Sequence, residues 1–350
     1  MSEVLAETGK RSKKSPLGGL RFDSSAPLLE VEGLEVEFHT RDGIAHAVNN
    51  VSFTLREGET LGILGESGCG KSVTAQAIMG ILDTPPARVA GGQVRYRGVD
   101  LLQLEEKTRR HIRANKIAII FQDALSSLNP VFTVGWQLGE LYRKHAGASR
   151  AQAKSKAVEL LELVGIPGAP ERINDFPHQF SGGMRQRVMI AMALALEPDI
   201  IIADEPTTAL DVTVQAQVMT LLSDLQREMQ LGLILITHDM GVVADVADKI
   251  CVMYAGHAVE RADVYEIYER PAHPYTKALL ESIPRVDQKG QDLTVIKGLP
   301  PALVNPPPGC SFHPRCAFAR DRCKTDEPPL YQLPGNRLSA CHYWEEVLES

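Results

Sequence analysis

Gly65-Glu-Ser-Gly-Cys-Gly-Lys-Ser72 has the form G-x-x-x-x-G-K-S, and we call this stretch the phosphate loop. An apolar run, Thr60-Leu-Gly-Ile-Leu64, precedes it, and the helix-like run Val73-Thr-Ala-Gln-Ala-Ile-Met79 follows it. A strand, a glycine-rich loop and a helix in that order are the context that a phosphate-binding loop requires. The glycines let the backbone wrap round a polyphosphate at the positive end of the helix. The pattern therefore predicts an ATP site in an α/β domain.

The loop residues have distinct expected roles. Lys71 would reach the β- and γ-phosphates, and the hydroxyl of Ser72 would bind Mg²⁺. The predicted nucleotide-contacting residues of the loop are Gly65, Glu66, Ser67, Gly68, Cys69, Gly70, Lys71 and Ser72. Phe38 precedes the loop in sequence and is a candidate to stack on adenine, although a role in the core or on a strand surface is the open alternative. The competing interpretation of the loop is a glycine-rich turn between strand and helix.

Length and charge narrow the class of protein. A chain of 350 residues with 44% hydrophobic content predicts two or three packed lobes. The formal net charge of -7 argues against a nucleic-acid partner, which would favour a basic surface. The longest apolar run, Val188 to Leu196, is far shorter than the roughly 18–20 residues that span a bilayer. Met1 to Pro27 carries Lys10, Arg11, Lys13 and Lys14 but no apolar core, so we expect a disordered tail; contact with anionic lipid headgroups is the alternative.

Three short apolar runs are typical of buried strands in a parallel sheet. They are Ile117-Ala-Ile-Ile-Phe121, Asp199-Ile-Ile-Ile-Ala203 and Gly232-Leu-Ile-Leu-Ile-Thr237. Each is followed by polar residues, namely Gln122, Asp204-Glu205 and His238. The carboxyl ends of parallel strands share one edge, so we expect these side chains to meet at the phosphate loop. By contrast, Leu29 to Phe38 alternates apolar and polar residues and returns through Ala45 to Leu55, which predicts an antiparallel β subdomain.

Phosphoryl transfer needs a metal and a group that orients the attacking water, and the strand ends provide candidates for both. Asp204 is placed to ligate Mg²⁺ or its water, together with Ser72 and Gln122. Glu205 is suited to orient or deprotonate water, and His238 to hydrogen-bond the γ-phosphate. The predicted catalytic residues are therefore Glu205, His238 and Gln122. An isolated Asp-Glu pair would more readily be a solvated turn, and the phosphate loop is what favours the functional interpretation.

Ser181-Gly-Gly-Met184 after Phe180 resembles the signature motif of ABC ATPases, normally LSGGQ, and precedes a predicted helix over Val188 to Leu196. Ala209-Leu-Asp211 adds to the resemblance, which covers about Leu29 to Arg261. It implies that two ATPase domains face each other head to tail and that each ATP lies between one phosphate loop and the partner's signature. The implied nucleotide-binding residues are then Ser181, Gly182, Gly183 and Asp211. Phe180 for Leu and Met184 for Gln depart from the pattern and remove one side-chain polar contact on that side of the ATP.

Longer segments resemble the ATPases of oligopeptide and dipeptide importers, especially the D type. They are Gln122 to Pro130, His178 to Ala191, Ala203 to Thr213, Pro271 to Leu279 and Gly309 to Cys316. The resemblance implies a peripheral protein on the cytoplasmic face of the membrane. Its implied partners are a homologous second ATPase in a heterodimer, two membrane permeases and an extracytoplasmic peptide-binding protein. It also implies that the permeases dock on the stretch after Gln122 and on the helical subdomain.

Four cysteines lie near the end of the chain, at Cys310, Cys316, Cys323 and Cys341. Their spacing matches neither a zinc knuckle nor a ferredoxin, so spacing alone leaves the ligand open. Thiolates in a Pro-rich segment with little core of its own suggest a structural metal. The resemblance implies a four-iron four-sulfur cluster, with zinc as the second choice and unligated cysteines as the third. His313 and His342 are possible substitute ligands.

The predicted fold is an α/β ABC-type P-loop NTPase with a RecA-like parallel-sheet core, an antiparallel β subdomain, an inserted helical subdomain and a small C-terminal metal-binding extension. The predicted segments are a tail (1–28), the first part of the core with the β subdomain (29–124), the helical subdomain (125–185), the second part of the core (186–262) and the C-terminal extension (263–350). Competing functions are an importer ATPase for a nickel chelate, haem or an oligosaccharide, a soluble ABC ATPase acting on ribosomes or DNA, and a metal-using sensor.

Overall fold

The computed structural model describes residues 20–123, 127–208, 210–283 and 296–350. The strands within these ranges are β1 (Leu29–Thr40), β2 (Gly43–Leu55), β3 (Thr60–Leu64), β4 (Ala87–Tyr96), β5 (Val99–Asp100), β6 (Ile117–Ile120), β7 (Ile200–Asp204), β8 (Gly232–Thr237), β9 (Lys249–Tyr254), β10 (His257–Asp263), β11 (Tyr331–Leu333) and β12 (Arg337–Ser339). The helices are α1 (Lys71–Met79), α2 (Glu106–Asn115), α3 (Val134–His145), α4 (Arg150–Leu163), α5 (Ala169–Arg172), α6 (Gly182–Leu194), α7 (Val212–Met229), α8 (Met240–Val246), α9 (Val264–Glu269), α10 (Pro274–Glu281), α11 (Asp321–Thr325) and α12 (Trp344–Glu349).

A mixed sheet in the order β11-β12-β10-β9-β3-β8-β7-β6 forms the core. Its segment from β9 to β6 is parallel, and β3, β7 and β8 are buried along their whole length. Apolar runs without alternation form such strands because helices cover both faces of a parallel sheet. The predicted α/β fold with a parallel core is therefore confirmed. The carboxyl ends of β3, β6, β7 and β8 meet at one edge, where the candidate site lies.

A second, antiparallel sheet has the order β2-β1-β4-β5. In β1 the residues Leu29, Val31, Leu34 and Val36 are buried while Glu32 and Glu35 are exposed, as the alternation predicts. Register shifts interrupt the pairing of β1 with both of its neighbours. A Cβ at Gly92, where φ is +88°, would lie 2.4 Å from the carbonyl oxygen of Gly33, so the close approach of the two strands requires glycine there.

Helices α3, α4 and α6 form a helical layer over the β6 side of the sheet. Thr133 caps α3, and Ser149 with Gln152 forms a capping box that begins α4. Buried Leu138, Leu161 and Ile190 belong to the core cluster that also contains sheet residues. Helix α6 begins at Gly182, earlier than the predicted Val188, because the hydroxyl of Ser181 caps it by accepting from the N–H of Met184. The signature segment therefore forms the start of the helix instead of preceding it.

The C-terminal extension completes the large sheet, because β12 pairs with both β10 and β11. Buried Glu260 on β10 accepts hydrogen bonds from the backbone N–H groups of Ala272 and His273, at 2.6 and 3.0 Å. Arg337 on β12 donates to the same carboxylate at 3.3 Å. These contacts join the extension to the core through the buried interior.

The described part of the predicted tail, residues 20–28, contacts the antiparallel sheet. The rings of Phe22 and Tyr96 pack edge to face with centroids 5.4 Å apart, and the N–H of Asp23 donates to the carbonyl of Arg97. Residues 1–19 of that predicted tail lie outside the described residues. Within the described ranges, no helix has the length and apolar character needed to cross a membrane.

Candidate functional site

The phosphate loop joins β3 to α1 and packs tightly against neighbouring backbone. The φ angles of Gly65 and Gly70 are +153° and +105°. A Cβ at Gly65 would lie 2.2 Å from the carbonyl oxygen of Met253, and a Cβ at Gly70 would lie 2.2 Å from that of Ala47. Both the conformation and the close contacts require glycine at these positions. The loop is thereby held between β9 and the antiparallel sheet.

The two side chains at the end of the loop point in different directions. Buried Lys71 donates from Nζ to the carbonyl oxygens of Gly65 and Glu66, at 2.7 and 3.0 Å. The hydroxyl of Ser72 donates to Oδ1 of Asp204 at 2.9 Å. The structure thus brings the loop and the end of β7 into contact, as the parallel-strand argument predicts. A hydroxyl and a carboxylate that face each other provide the oxygen ligands that Mg²⁺ prefers.

Glu205 lies at the centre of a polar cluster at this edge of the sheet. Its Oε2 accepts from Nε2 of Gln122 at 3.0 Å and from Oγ1 of Thr208 at 2.9 Å, and its Oε1 lies 3.3 Å from Nδ1 of His238. The residue has φ of +46°, a conformation that costs energy for any side chain with a Cβ. A bond from its N–H to the carbonyl of Ile236 holds it there. The structure therefore joins the ends of β6, β7 and β8 through one carboxylate.

The two adjacent carboxylates differ in their surroundings. Burial raises the pKa of Asp204, the hydrogen bond from Ser72 opposes this, and the nearby charge of Glu205 raises it further. Asp204 is 6% exposed, whereas the imidazole of His238 beside Glu205 is largely open to solvent. A cation bound at Ser72 and Asp204 would offset the cost of charging Asp204.

The signature segment lies apart from the phosphate loop. Ser181 caps α6, and Cβ atoms at Gly182 and Gly183 would meet Leu210 at 3.5 Å and Val214 at 2.4 Å, which packs the segment against the start of α7. No hydrogen bond within the described residues joins Ser181, Gly182 or Gly183 to the loop. Asp211 caps α7 by accepting from the N–H of Val214 at 3.0 Å. Phe180, the departure from the motif, is buried in the core.

The remaining predicted positions have the following placement. Phe38 is half buried, pairs with Ala45 and packs against the core of the antiparallel sheet. Cys69 is buried. Ala209 of the motif Ala209-Leu-Asp211 lies outside the described residues, as do residues 125 and 126 at the predicted start of the helical subdomain.

Three residues at the site were not predicted from the sequence. Thr208 binds Glu205, and Arg315 and Tyr275 both contact Glu66 of the loop. Thr208 lies only three residues after Glu205, so a turn with a hydroxyl was a usable signal. Nothing local predicts the other two, because they are separated from the loop by more than 200 residues.

The four C-terminal cysteines line one small cavity together with Phe312, His313 and His342. Burial raises the pKa of Cys316 and of Cys341 to about 12, and it also raises that of Cys310. The cavity has a volume of about 10 Å³, room for about one water molecule. The described residues contain no group of three or more His, Cys, Asp or Glu arranged to hold a metal ion. The predicted metal-binding character of the extension is therefore not supported by the geometry.

Two family models match the chain. The model described as ABC transporter matches residues 48–208. The model described as Oligopeptide/dipeptide transporter, C-terminal region, matches residues 259–323. The first match contains the phosphate loop, the signature segment and the Asp204-Glu205 pair, and the second contains three of the four clustered cysteines.

Relatives agree with both matches. The dipeptide transport ATP-binding protein DppD of Bacillus subtilis is 53% identical over 289 residues, which cover 83% of this chain and 86% of the relative. The oligopeptide transport ATP-binding protein OppD of Salmonella typhimurium is 51% identical over 314 residues, which cover 90% of this chain and 93% of that relative. Among solved structures, the dimeric ATP-binding cassette MJ0796 bound to ADP and Pi is 28% identical with a TM-score of 0.61, over 67% of this chain and 98% of that chain.

Proposed function

This chain belongs to the ATP-binding proteins of dipeptide and oligopeptide ABC transporters, and we propose that it is the ATP-hydrolysing subunit that drives peptide import through a membrane permease. The observation that carries the proposal is the polar cluster in which Gln122, Glu205 and His238 meet beside the phosphate loop. Relatives whose names specify dipeptide and oligopeptide transport share about half of its residues along most of its length.

The residues of the phosphate loop and of the strand ends have different proposed roles in phosphoryl transfer. The loop N–H groups at the start of α1 bind phosphate oxygens, and Lys71 exchanges its backbone carbonyl partners for the β- and γ-phosphates. When bound, Mg²⁺ would supply positive charge that offsets the charge of the phosphates. Ser72, Asp204 and Gln122 would hold the ion and its waters. Glu205 orients and deprotonates the attacking water, and His238 donates a hydrogen bond to the γ-phosphate.

A second ATPase subunit completes the site. Ser181 and the N–H groups of Gly182 and Gly183 begin helix α6, and they form an anion site away from the loop of the same chain. In a head-to-tail dimer this segment closes over the ATP of the partner. The related cassette MJ0796 was solved as a dimer. We propose that the partner of this chain is a homologous subunit and that ATP binding closes the pair.

An exposed apolar patch after Gln122 is the proposed docking surface for the permease. Val131, Phe132 and Trp136 are 70, 37 and 40% exposed, and the rings of Phe132 and Trp136 stack with centroids 4.0 Å apart. Beside them a cavity of about 340 Å³ opens between α3, α4 and the segment at Ile173. Large exposed aromatic groups beside a groove fit an amphipathic helix from a partner protein. The patch follows Gln122 in sequence, so closure at the nucleotide can move it.

We also propose that the four clustered cysteines bind a metal centre, with a four-iron four-sulfur cluster ahead of zinc. What favours the proposal is that all four line one cavity although up to 31 positions separate them in sequence; in this structure they are not arranged as a metal site. The small cavity volume means that their side chains must rotate outward to admit a cluster. The centre would have a structural role, because Cys310 and Cys323 already join two segments through a backbone hydrogen bond of 2.9 Å.

One experiment tests the assembly and the metal together. The full chain, tagged and expressed in its own cell, is recovered from detergent-solubilised membranes, and the retained proteins are identified by mass spectrometry. Iron, acid-labile sulfide and zinc are measured on the same sample. We expect two permeases, a second ABC ATPase and about four irons per chain.

Two results would contradict these proposals separately. Recovery of ribosomal or DNA-repair proteins without any membrane protein would overturn the transport function. Absence of iron and zinc from a sample purified without oxygen would overturn the metal centre and leave the transport function in place. The cargo follows from a binding-protein screen, in which peptides are expected and nickel chelates, haem and oligosaccharides are the alternatives.

A further inference from the structure

The C-terminal extension holds the second residue of the phosphate loop. Arg315 donates from Nη1 and Nη2 to the two carboxylate oxygens of Glu66, at 2.6 and 2.9 Å. The side chain of Arg315 is only 5% exposed and that of Glu66 is 25% exposed. Two parallel charge-assisted bonds of this kind fix orientation as well as distance. The ion pair therefore ties the loop to a segment almost 250 residues away in sequence.

Tyr275 holds the backbone of the same loop residue. The N–H of Glu66 donates to Oη of Tyr275 at 2.8 Å, and Tyr275 is fully buried. Its ring packs against Tyr254 and Phe312, with centroids 4.7 and 5.3 Å away. Arg315 lies 5.8 Å from the centre of the Tyr254 ring. An aromatic cluster thus supports both groups that bind Glu66.

Glu66 in turn binds the lysine that is to contact phosphate. Its carbonyl oxygen accepts from Nζ of Lys71 at 3.0 Å. A shift of Glu66 therefore moves the resting position of Lys71 and the N–H groups of the loop that follow it. The side chain of Glu66 binds Arg315, its N–H binds Tyr275 and its carbonyl binds Lys71. Arg315 and Tyr275 both belong to the C-terminal extension.

We propose that Arg315 and Tyr275 are positioning residues that set the conformation of the phosphate loop, so that the C-terminal extension controls nucleotide affinity. The inference rests on the proposed binding of ATP at this loop. Arg315 immediately precedes Cys316, and Phe312 lines the cysteine cavity. Any change that displaces the segment from Cys310 to Cys316 also displaces Arg315, and through Glu66 it alters the nucleotide site. This holds whether or not the cysteines bind a metal.

A double-mutant cycle tests the link. Dissociation constants for fluorescent ATP are measured by titration on the full chain as wild type, Arg315→Gln, Glu66→Gln and the double variant. We expect each single change to weaken binding by about tenfold, the scale of typical coupling between sites. The double variant should bind no more weakly than either single variant, because all three lack the same interaction.

The control is Arg320→Gln. Arg320 lies on the same extension and pairs with Glu346 at the exposed surface, so its loss should leave ATP affinity unchanged. Arg315→Lys keeps the charge but loses the bidentate geometry, and we expect intermediate affinity; it also serves if Arg315→Gln does not fold. Tyr275→Phe removes only the hydroxyl, which is the acceptor of the Glu66 N–H, so it should weaken ATP binding in protein that remains folded.

Wild-type affinity in folded Arg315 variants would overturn the inference, and so would additive effects in the double variant. Wild-type protein that does not bind ATP would instead overturn the proposed function. The two failures are therefore distinguishable in the same titration.

Discussion

At the scale of single residues, the proposed hydrolysis of ATP depends on how Glu205 is held. Three polar side chains bind its carboxylate, and its backbone adopts a conformation with positive φ at the end of β7. Such strain persists only where neighbours enforce it, and here Gln122, Thr208 and His238 hold the carboxylate at the edge of the sheet. The arrangement suits a group that orients water without ligating phosphate itself.

We predict that Glu205→Gln keeps ATP binding and lowers the rate of hydrolysis. The amide keeps the hydrogen bonds but cannot accept a proton, so the expected loss in kcat is about 100-fold or more. Single-turnover hydrolysis and nucleotide binding are measured in the assembled complex. The matched control is Glu228→Gln, an exposed position on α7, and it should retain full activity. Wild-type turnover in Glu205→Gln would remove Glu205 from the proposed role.

The sequence predicted much of this site because the chemistry is local to strand ends. Gln122, Asp204-Glu205 and His238 each follow an apolar run, and a parallel sheet must place such ends together. The sequence could not predict that Arg315 and Tyr275 lie at this site, because their contact with Glu66 depends on how the extension folds back onto the core. No spacing or periodicity in the chain records that tertiary contact.

At the scale of elements, the apolar runs predicted β3, β7 and β8 closely, since a fully buried strand needs a continuous apolar run. The start of α6 was predicted too late, because Gly182 and Gly183 are poor helix formers and the cap at Ser181 outweighs their low propensity. Strands β11 and β12 were not predicted, since they are only three residues long and carry no alternation signal.

Those two strands depend on a buried ion pair, which gives a prediction about stability. Glu260 is fully buried, and it binds Arg337 of β12 together with two backbone N–H groups. Glu260→Ala leaves the two N–H groups without an acceptor and leaves Arg337 with only the carbonyl of Arg270 and the carboxylate of Glu266, so the free energy of unfolding should fall by about 3–5 kcal/mol. Urea unfolding followed by circular dichroism measures this change.

The control for Glu260→Ala is Glu346→Ala. Glu346 also pairs with an arginine, Arg320, but both side chains are about half exposed. The cost should stay below about 1 kcal/mol, since surface ion pairs are weak. Equal losses in the two variants would show that the Glu260 pair does not support the extension.

At the scale of the whole molecule, the proposed sites for nucleotide, partner ATPase and permease lie on separate parts of the surface. The patch of Val131, Phe132 and Trp136 lies on the helical layer, whereas Glu205 and the phosphate loop lie at the sheet edge. Single exposed apolar side chains are common, but adjacent ones that form a patch favour a binding surface, which is why we propose that the permease docks here.

We predict that Trp136→Ala uncouples the subunit from the permeases. The variant loses a stacked, partly exposed aromatic pair at the proposed docking surface, and it should retain wild-type ATP affinity while copurification of permeases falls by about tenfold or more. Tyr265→Ala is the matched control, because Tyr265 is an exposed aromatic on α9 outside this patch. Undiminished recovery of permeases with Trp136→Ala would place the docking surface elsewhere.

The most direct test of the account is peptide uptake by the purified complex in proteoliposomes. ATP is supplied on the side of the membrane that carries the ATPase, and labelled peptide with its binding protein on the opposite side. Uptake is compared between the wild-type complex and the complex carrying Glu205→Gln. The account predicts ATP-dependent uptake in the wild type and its loss in the variant, with both assemblies intact. Equal uptake by the two complexes, or ATP hydrolysis by the wild type without any peptide accumulation, would contradict the claim that this subunit drives peptide import.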